Sequence, residues 1–302
     1  DHQSWNYATF TQIDKKFFNR LTLSFGTRYE IFSIDDEMDN SGLLFRGGAN
    51  FLLTEGTYLR GSYGQGYRYP TIAEKFVETI RGGINVFPNP DIQPESGWSA
   101  EMGVKQMFRV SDWVGYLDFS AFLTEYRDMI EFTLVSRNNQ IGFVSKNVSD
   151  ARISGFEFSG FGTGNLFGLP TNLIFGYTYI NPIDLIDTTD TGAQEILKYR
   201  FRHSAKFDAE TTFKNIFAGF TITYNSFMER IDPAFALING LREYREENNT
   251  GDWVLDVRLG YNISERSKLL FIAKNLLNRE YSLRPAYIEP PRNFTVQFSH
   301  EF

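Results

Sequence analysis

Cysteine is missing altogether from the 302 residues, which removes disulfide scaffolds, thiol nucleophiles and cysteine-ligated zinc or iron–sulfur centres. Histidine is nearly as scarce: His2, His203 and His300 lie in distant parts of the chain and form neither a nucleophile–base pair nor a metal-ligand spacing. No window approaches the ~18 consecutive apolar residues a membrane helix needs, the best runs being short pieces such as 269–273. A basic stripe is also lacking. The 37 acidic residues outnumber 30 Lys and Arg, and the net charge of −7 excludes a phosphate-neutralising nucleic-acid binder. No glycine loop that cradles phosphate precedes a helix, since Gly64-Gln65-Gly66 sits inside a strand-like run. The start, Asp1-His2-Gln3-Ser4-Trp5, has neither the basic opening nor the apolar core of a signal peptide, so an exported protein would be mature or truncated here.

Aromatic residues are abundant instead. With 30 Phe, 16 Tyr and 4 Trp they make 17% of the chain, yet the mean hydropathy is below zero, so apolar residues are interleaved with polar ones. The interleaving has period two. Phe294, Val296, Phe298, His300 and Phe302 share one side, against Asn293, Thr295, Gln297, Ser299 and Glu301. Trp253, Leu255, Val257, Leu259 and Tyr261 oppose Asp256, Arg258 and Gly260, and Leu21, Leu23, Phe25 and Tyr29 oppose Thr22, Ser24, Arg28 and Glu30.

About thirteen such strands are expected, or fourteen if an irregularity near residue 148 splits its strand. They fall at 4–13, 17–34, 43–53, 57–68, 97–110, 113–135, 141–161, 171–181, 201–212, 216–228, 253–262, 268–275 and 292–302. Many suit the ~9 to 11 residues of a tilted transmembrane strand better than the five or six usual in soluble sheets. Tight turns are expected at 14–16, 54–56, 111–112, 213–215 and 264–266. Longer connections are expected at 35–42, 69–96, 182–200, 229–252 and 276–291, with 136–140 short for its place and 162–170 long for its own. Short turns at one end and long loops at the other are the habit of bacterial outer-membrane barrels. Trp5, Trp98 and Trp253 would open strands at the outer rim and Trp113 at the inner rim, where indole prefers the bilayer interface. The fold class is therefore all-β, a transmembrane antiparallel up-and-down β-barrel.

Several stretches resemble TonB-dependent outer-membrane receptors. They are Tyr63-Gly64-Gln65-Gly66-Tyr67-Arg68-Tyr69-Pro70, then Asn89-Pro90-Asp91-Ile92-Gln93-Pro94-Glu95 leading to Glu101-Met102-Gly103, then Ile153-Ser154-Gly155-Phe156-Glu157. The last are Lys274-Asn275-Leu276-Leu277-Asn278-Arg279-Glu280-Tyr281, Pro290-Pro291-Arg292-Asn293-Phe294 and the terminal Phe302. Their order and spacing, from residue 63 onwards, make the set specific. That family's barrel has 22 strands around a plugged lumen. The resemblance thus implies that residues 1–302 are one segment, the larger C-terminal part of a barrel, with the plug outside this chain. It also implies an importer in the bacterial outer membrane without covalent chemistry or cofactor. Its expected partners are membrane lipid, a TonB energy-coupling complex acting through the plug, the barrel-assembly machinery reading Phe302, and a small-molecule or oligomeric ligand, with room for a surface lipoprotein. A complete fourteen-strand passive channel and an outer-membrane barrel enzyme are the rival readings.

Ligand-binding candidates follow from position at the outer end: Arg68, Arg81, Phe87, Asn89, Tyr244 and Tyr287. An inward Arg68 needs a carboxylate or carbonyl partner, which a plug would supply. Glycines 61, 64 and 66 fit either strand curvature or close packing in the lumen. Asp184, Asp187 and Asp190 offer oxygens for calcium, but their spacing is not that of an EF-hand and a solvated acidic loop is the plainer reading. Glu243, Glu246 and Glu247 beside Arg242 and Arg245 likewise read as a soluble loop face. If this topology is right, cysteines introduced at Asn89, Asp187 and Asn248 will react with a membrane-impermeant thiol reagent on intact cells and one at Asn215 will not. Labelling at Asn215 alone would invert it.

Overall fold

The computed structural model describes residues 2–35, 37–81, 84–137, 140–188, 194–233, 235 and 238–302. In chain order the elements are β1 (Ser4–Phe17), β2 (Leu21–Ile34), β3 (Glu37–Thr54), β4 (Thr57–Arg68), α1 (Ile72–Phe76), β5 (Thr79–Arg81), β6 (Ile84–Phe87), β7 (Glu95–Val110), β8 (Trp113–Arg137) and β9 (Gln140–Leu166). They continue with β10 (Leu169–Thr188), β11 (Gln194–Ile196), β12 (His203–Phe213), β13 (Ile216–Asn225), α2 (Leu241–Glu247), β14 (Asp252–Ser264), β15 (Ser267–Lys274) and β16 (Asn293–His300). Thirteen of the strands form one wall in which each pairs with its neighbour in sequence, β1-β2-β3-β4-β7-β8-β9-β10-β12-β13-β14-β15-β16, and the ladders between them are all antiparallel. Among the described residues β1 and β16 pair with each other nowhere, and each has a single neighbour.

Cross-strand register sorts the wall into two faces. Phe220 opposes Val257, which opposes Ala273, which opposes Phe294. Asp208 opposes Thr221, and Thr221 opposes Asp256. The apolar face stays exposed: Phe25, Leu59, Phe119, Trp253, Leu259, Phe271, Val296 and Phe298 all remain largely uncovered. An apolar surface this continuous belongs in hydrocarbon, and the charged face lines the lumen. Ring pairs mark the rim at the long-loop end, Tyr63 with Trp98 at 5.9 Å and Tyr224 with Trp253 at 4.6 Å. At the opposite end the indole Nε1–H of Trp113 donates to the Asn165 carbonyl, 3.2 Å away.

Three expected connections are corrected. The first turn lies at Phe18–Arg20 rather than 14–16: Phe18 and Asn19 take left-handed φ of 49° and 56°, while Asp14, Lys15 and Lys16 stay paired to β2. Residues 162–170 form no long loop, because β9 continues to Leu166 and reverses at Phe167–Gly168 with φ of 53° and 82°. The strands around 35–42 also run on, to Ile34 and from Glu37. In each case the partner strand continues the ladder past a stretch whose composition reads as turn-like. Paired left-handed residues match strand twist, so the hairpins at Phe18–Asn19 and Phe167–Gly168 close without long loops.

The irregularity near 148 is a bulge within one continuous strand. Register shifts between Tyr126/Met129 and Met129/Ile130, Asp128 has φ of 55°, and its N–H donates to Asp150 Oδ1 at 3.1 Å. This is where the wall ends and the β8–β9 hairpin goes on alone, since β7 stops at the Ser96–Arg127 pair and the β10 ladder at Asp184–Ala151. The projecting part takes β6 beside β9 in parallel, at Asn85–Gly142 to Phe87–Val144. Gly142 makes this approach possible, because a Cβ there would lie 2.6 Å from the Asn85 carbonyl oxygen. Val257→Arg, on the lipid face, should cost about 2–4 kcal/mol in a urea titration in micelles, whereas Gln297→Arg, on the lumen face, should cost far less. Equal losses would reverse the two faces.

Candidate functional site

The lumen face is organised by arginines lying across glycines. Arg60 opposes Gly103, Arg258 opposes Gly219 and Arg46 opposes Gly26. A Cβ on those glycines would sit 2.8, 2.7 and 2.8 Å from the guanidinium atoms. The missing side chain lets each arginine cross its neighbour to the strand beyond. Arg60 reaches Glu101 at 3.0 Å and Asp118 at 2.8 Å, Arg258 reaches Asp208 and Glu210 at 2.8 Å each, and Arg46 bonds Gln12. Each such bond ties three successive strands on the side opposite lipid. A Cβ added at Gly64 or Gly66 would meet no described atom of this chain within 4 Å.

Arg68, expected to need a partner from a plug, finds two in its own chain: Glu74 at 3.0 Å and Glu95 at 3.2 Å. Glu74 belongs to α1, whose first turn is closed by a reciprocal capping box with Thr71. Burial pushes the Glu74 carboxyl up. The Thr71 N–H and the Arg68 guanidinium outweigh burial and hold it below the ordinary carboxylate range. Asn89 donates to the Ser145 carbonyl of β9 at 2.9 Å, and Phe87 lies 5.5 Å from the guanidinium of Arg137 at the end of β8, so both brace the 69–94 loop on the β8–β9 hairpin. Nearby, Asn147 joins this loop to the β8 bulge by accepting from the Gln93 N–H and donating to the Gln93 and Asp128 carbonyls. Arg81 ends β5, but its side chain lies outside the described residues.

Tyr244 and Tyr287, 43 positions apart in sequence, line one cavity of about 330 Å³ between the 226–251 and 275–292 connections. Phe201, Phe227, Met228, Ile238, Leu241 and Ile288 supply its apolar wall, and Asp252, Ser282 and Arg284 its polar edge. Burial, then the charge of Glu280, raises the Tyr244 hydroxyl above its usual value. The 275–292 connection is shaped by Asn275, whose φ is 47° and whose amide both donates to the Arg279 carbonyl at 2.7 Å and accepts from the Arg279 N–H at 2.8 Å. Asparagine tolerates that left-handed backbone, as does Asn278 at 51°.

Lys198 joins Asp232 at 3.0 Å and Glu131 at 3.6 Å, linking the 197–202 and 226–240 connections to β8. Burial, then the charge of Asp232, pushes the neighbouring Tyr199 up to about 12. Asp184 is buried in β10 and accepts the Ile186 N–H at 3.0 Å, while the Asp187 side chain and Asp190 lie outside the described residues. Phe302 is fully exposed beside His300, with rings 5.0 Å apart. Sequence reasoning missed Arg245, which was grouped with a solvated face. Arg242, Glu243, Glu246 and Glu247 are exposed as expected, with Arg242 and Glu246 paired at 2.9 Å, and Arg245 alone of that group is half-buried.

A lipid-facing apolar surface, a charged lumen and elaborate structure confined to one end define an outer-membrane β-barrel wall. The chain belongs to the TonB dependent receptor-like, beta-barrel family, whose model matches residues 1–276, and it is a protein of the Gram-negative outer membrane. It is 21% identical over 247 residues to the vitamin B12 transporter BtuB of Vibrio cholerae, covering 81% of this chain and 34% of that protein. To the hemoglobin-haptoglobin utilization protein B of Neisseria meningitidis it is 27% identical over 168 residues, covering 49% of this chain and 20% of that protein. Among solved structures, the copper transporter OprC superposes with a TM-score of 0.76 at 18% identity, over 100% of this chain and 48% of the other. The ferric-catecholate import receptor Fiu of E. coli gives 0.70 at 16% identity, over 100% and 45%. The chain thus spans about a third of the length of the vitamin B12 transporters it matches.

Because Glu74 is held below its ordinary range, the folded loop binds fewer protons than the unfolded one at mildly acid pH. Its bracing is fully present above about pH 4.3 and is lost as pH falls through the depressed folded value. Limited proteolysis of the 69–94 loop should therefore stay low from neutral pH to about pH 5 and rise below about pH 4. Glu74→Gln should raise cleavage at neutral pH to the level the unsubstituted protein reaches in acid, and remove the pH dependence. Equal cleavage of the unsubstituted protein at neutral and acid pH would contradict this account.

Proposed function

We propose that the chain supplies wall strands, and part of the ligand site, of a gated importer that carries a scarce ligand across the outer membrane. The observation that carries this reading is the family match over residues 1–276. The unpaired outer edges of β1 and β16 support it further, because exposed ladder groups in hydrocarbon cost several kcal/mol each and call for additional wall strands. On this reading the residues 1–302 are one segment of a larger barrel around a plug. Ligand enters at the long-loop end, meets the cavity that holds Tyr244 and Tyr287, and passes along the charged lumen once an energy-coupling complex has displaced the plug.

Arg68, Asn89 and Phe87 then serve the site indirectly, by fixing the 69–94 loop, and Arg81 lies on the same loop. Phe302 is the residue read by the barrel-assembly machinery. The relatives span vitamin B12, ferric-catecholate and copper carriers, and these classes define the panel to be tested. Uptake of cobalamin, a ferric catecholate, haem and copper should be measured with the full-length receptor in host cells that have, or lack, the TonB energy-coupling complex. Uptake of one of them should require that complex. Equal uptake in both strains would replace the importer by a passive channel.

A further inference from the structure

The cavity beside α2 contains a cation whose charge is not matched. Among the described residues, the half-buried arginines Arg60, Arg68, Arg152, Arg202, Arg230 and Arg258 each reach a carboxylate. Arg245 is half-buried too, and no described carboxylate pairs with it. One of its N–H groups donates to the Met228 carbonyl at 2.6 Å, and the guanidinium lies 4.6 Å from the centre of the Phe227 ring. Burial alone lowers its affinity for its proton, with no neighbouring acid to offset it. Asp252 lines the same cavity, but the cation that acts on its carboxyl is Arg279.

Arg245 also lines a second cavity, of about 380 Å³, with Ile231, Pro233 and Phe235; the two carboxylates in that lining are engaged by other cations, Asp232 by Lys198 and Glu246 by Arg242. A guanidinium carries five N–H donors, and the Met228 carbonyl occupies one direction of approach. An uncompensated charge among apolar walls is costly, and a bound anion offsets that cost. The planar fork accepts two oxygens of a carboxylate side by side. Phe201, Ile238, Leu241, Tyr287 and Ile288 would exclude a bare hydrated anion and cover an apolar one. The first cavity, at about 330 Å³, falls at the small end of the ~300–1,000 Å³ usual for ligand sites.

We propose that this cavity takes a small organic carboxylate with an apolar or aromatic body, and that Arg245 is the residue that selects its charge. The proposal rests on the cavity being part of the ligand site of the importer, but its test reads binding and not uptake. Full-length receptor in nanodiscs is titrated with 4-phenylbutyrate and with its neutral amide, by ligand-observed saturation-transfer NMR. The acid should bind about tenfold more tightly than the amide, the margin of a charge-assisted hydrogen bond. Arg245→Gln should abolish that margin while leaving the amide unchanged, Arg245→Lys should restore part of it, and Arg266→Gln, at the opposite end of the wall, should have no effect.

Heat-modifiable gel mobility equal to that of the unsubstituted receptor certifies each variant as folded. Should Arg245→Gln fail that check, the acid-to-amide ratio of the unsubstituted receptor together with the Arg245→Lys variant decides the matter. An amide as tight as the acid, no binding of either, or a margin that survives Arg245→Gln would overturn the proposal. Energised uptake with no acid preference would leave the importer standing without this site, and an acid preference without energised uptake would do the reverse.

Discussion

Hydrocarbon offers no partner to a backbone N–H or C=O, and every other feature of this wall follows from that constraint. Each strand between the rims must be laddered on both sides, which is why the thirteen strands follow one another without crossover. Two-residue reversals at Phe167–Gly168 and at Ser111–Asp112 keep the ladder continuous almost to its end. The same constraint explains where irregular structure is found. The bulge at Met129 appears only where the ladders of this hairpin to β7 and β10 have already ended, beyond the level at which unpaired groups would meet lipid.

Strand alternation then leaves polar side chains close together on the lumen side. Their charges are resolved locally. Arginine placed opposite glycine spans to an acid one strand further on, so Arg60 and Arg258 each neutralise two carboxylates while lying flat against the sheet. A larger residue at Gly103 or Gly219 would lift the guanidinium away from the acids. Glycine in these strands is thus a consequence of side-chain traffic across the wall. Phe217 lies over Gly260 by the same logic, with the Lys268 ammonium 4.2 Å from its ring.

The long-loop end obeys a different economy, because water is available there and irregular backbone is tolerated. Short elements are held by specific side chains: Thr71 and Glu74 close α1, Asn89 and Asn147 fasten its loop to β9, and Asn275 folds the last connection back on itself. That last connection and the one carrying α2 are the two loops whose residues meet in the cavity. The family to which the chain belongs supplies the context for that cavity, and its relatives transport chemically unlike cargoes, so the wall itself does not specify a ligand.

Period-two alternation, strand length and turn parity were legible in the sequence, because each is a local consequence of a strand with lipid on one side and a polar lumen on the other. They placed Leu255 and Val257 opposite Asp256 and Arg258, and the irregularity near 148, without reference to any contact. Hairpin ends were less legible at Phe18–Arg20 and Phe167–Gly168, where the continuing partner strand and not the composition sets the reversal. The candidate site was legible only in part. Tyr244 and Tyr287 were picked out by position, but their meeting in one cavity depends on two loops folding together. The same holds for charge. Arg68 acquires Glu74 and Glu95, Arg60 acquires Asp118 58 positions away, and among the described residues Arg245 alone of the half-buried arginines acquires no carboxylate. Pairing across strands is a property of three-dimensional register, and no spacing along the chain encodes which arginine will be left without an acid.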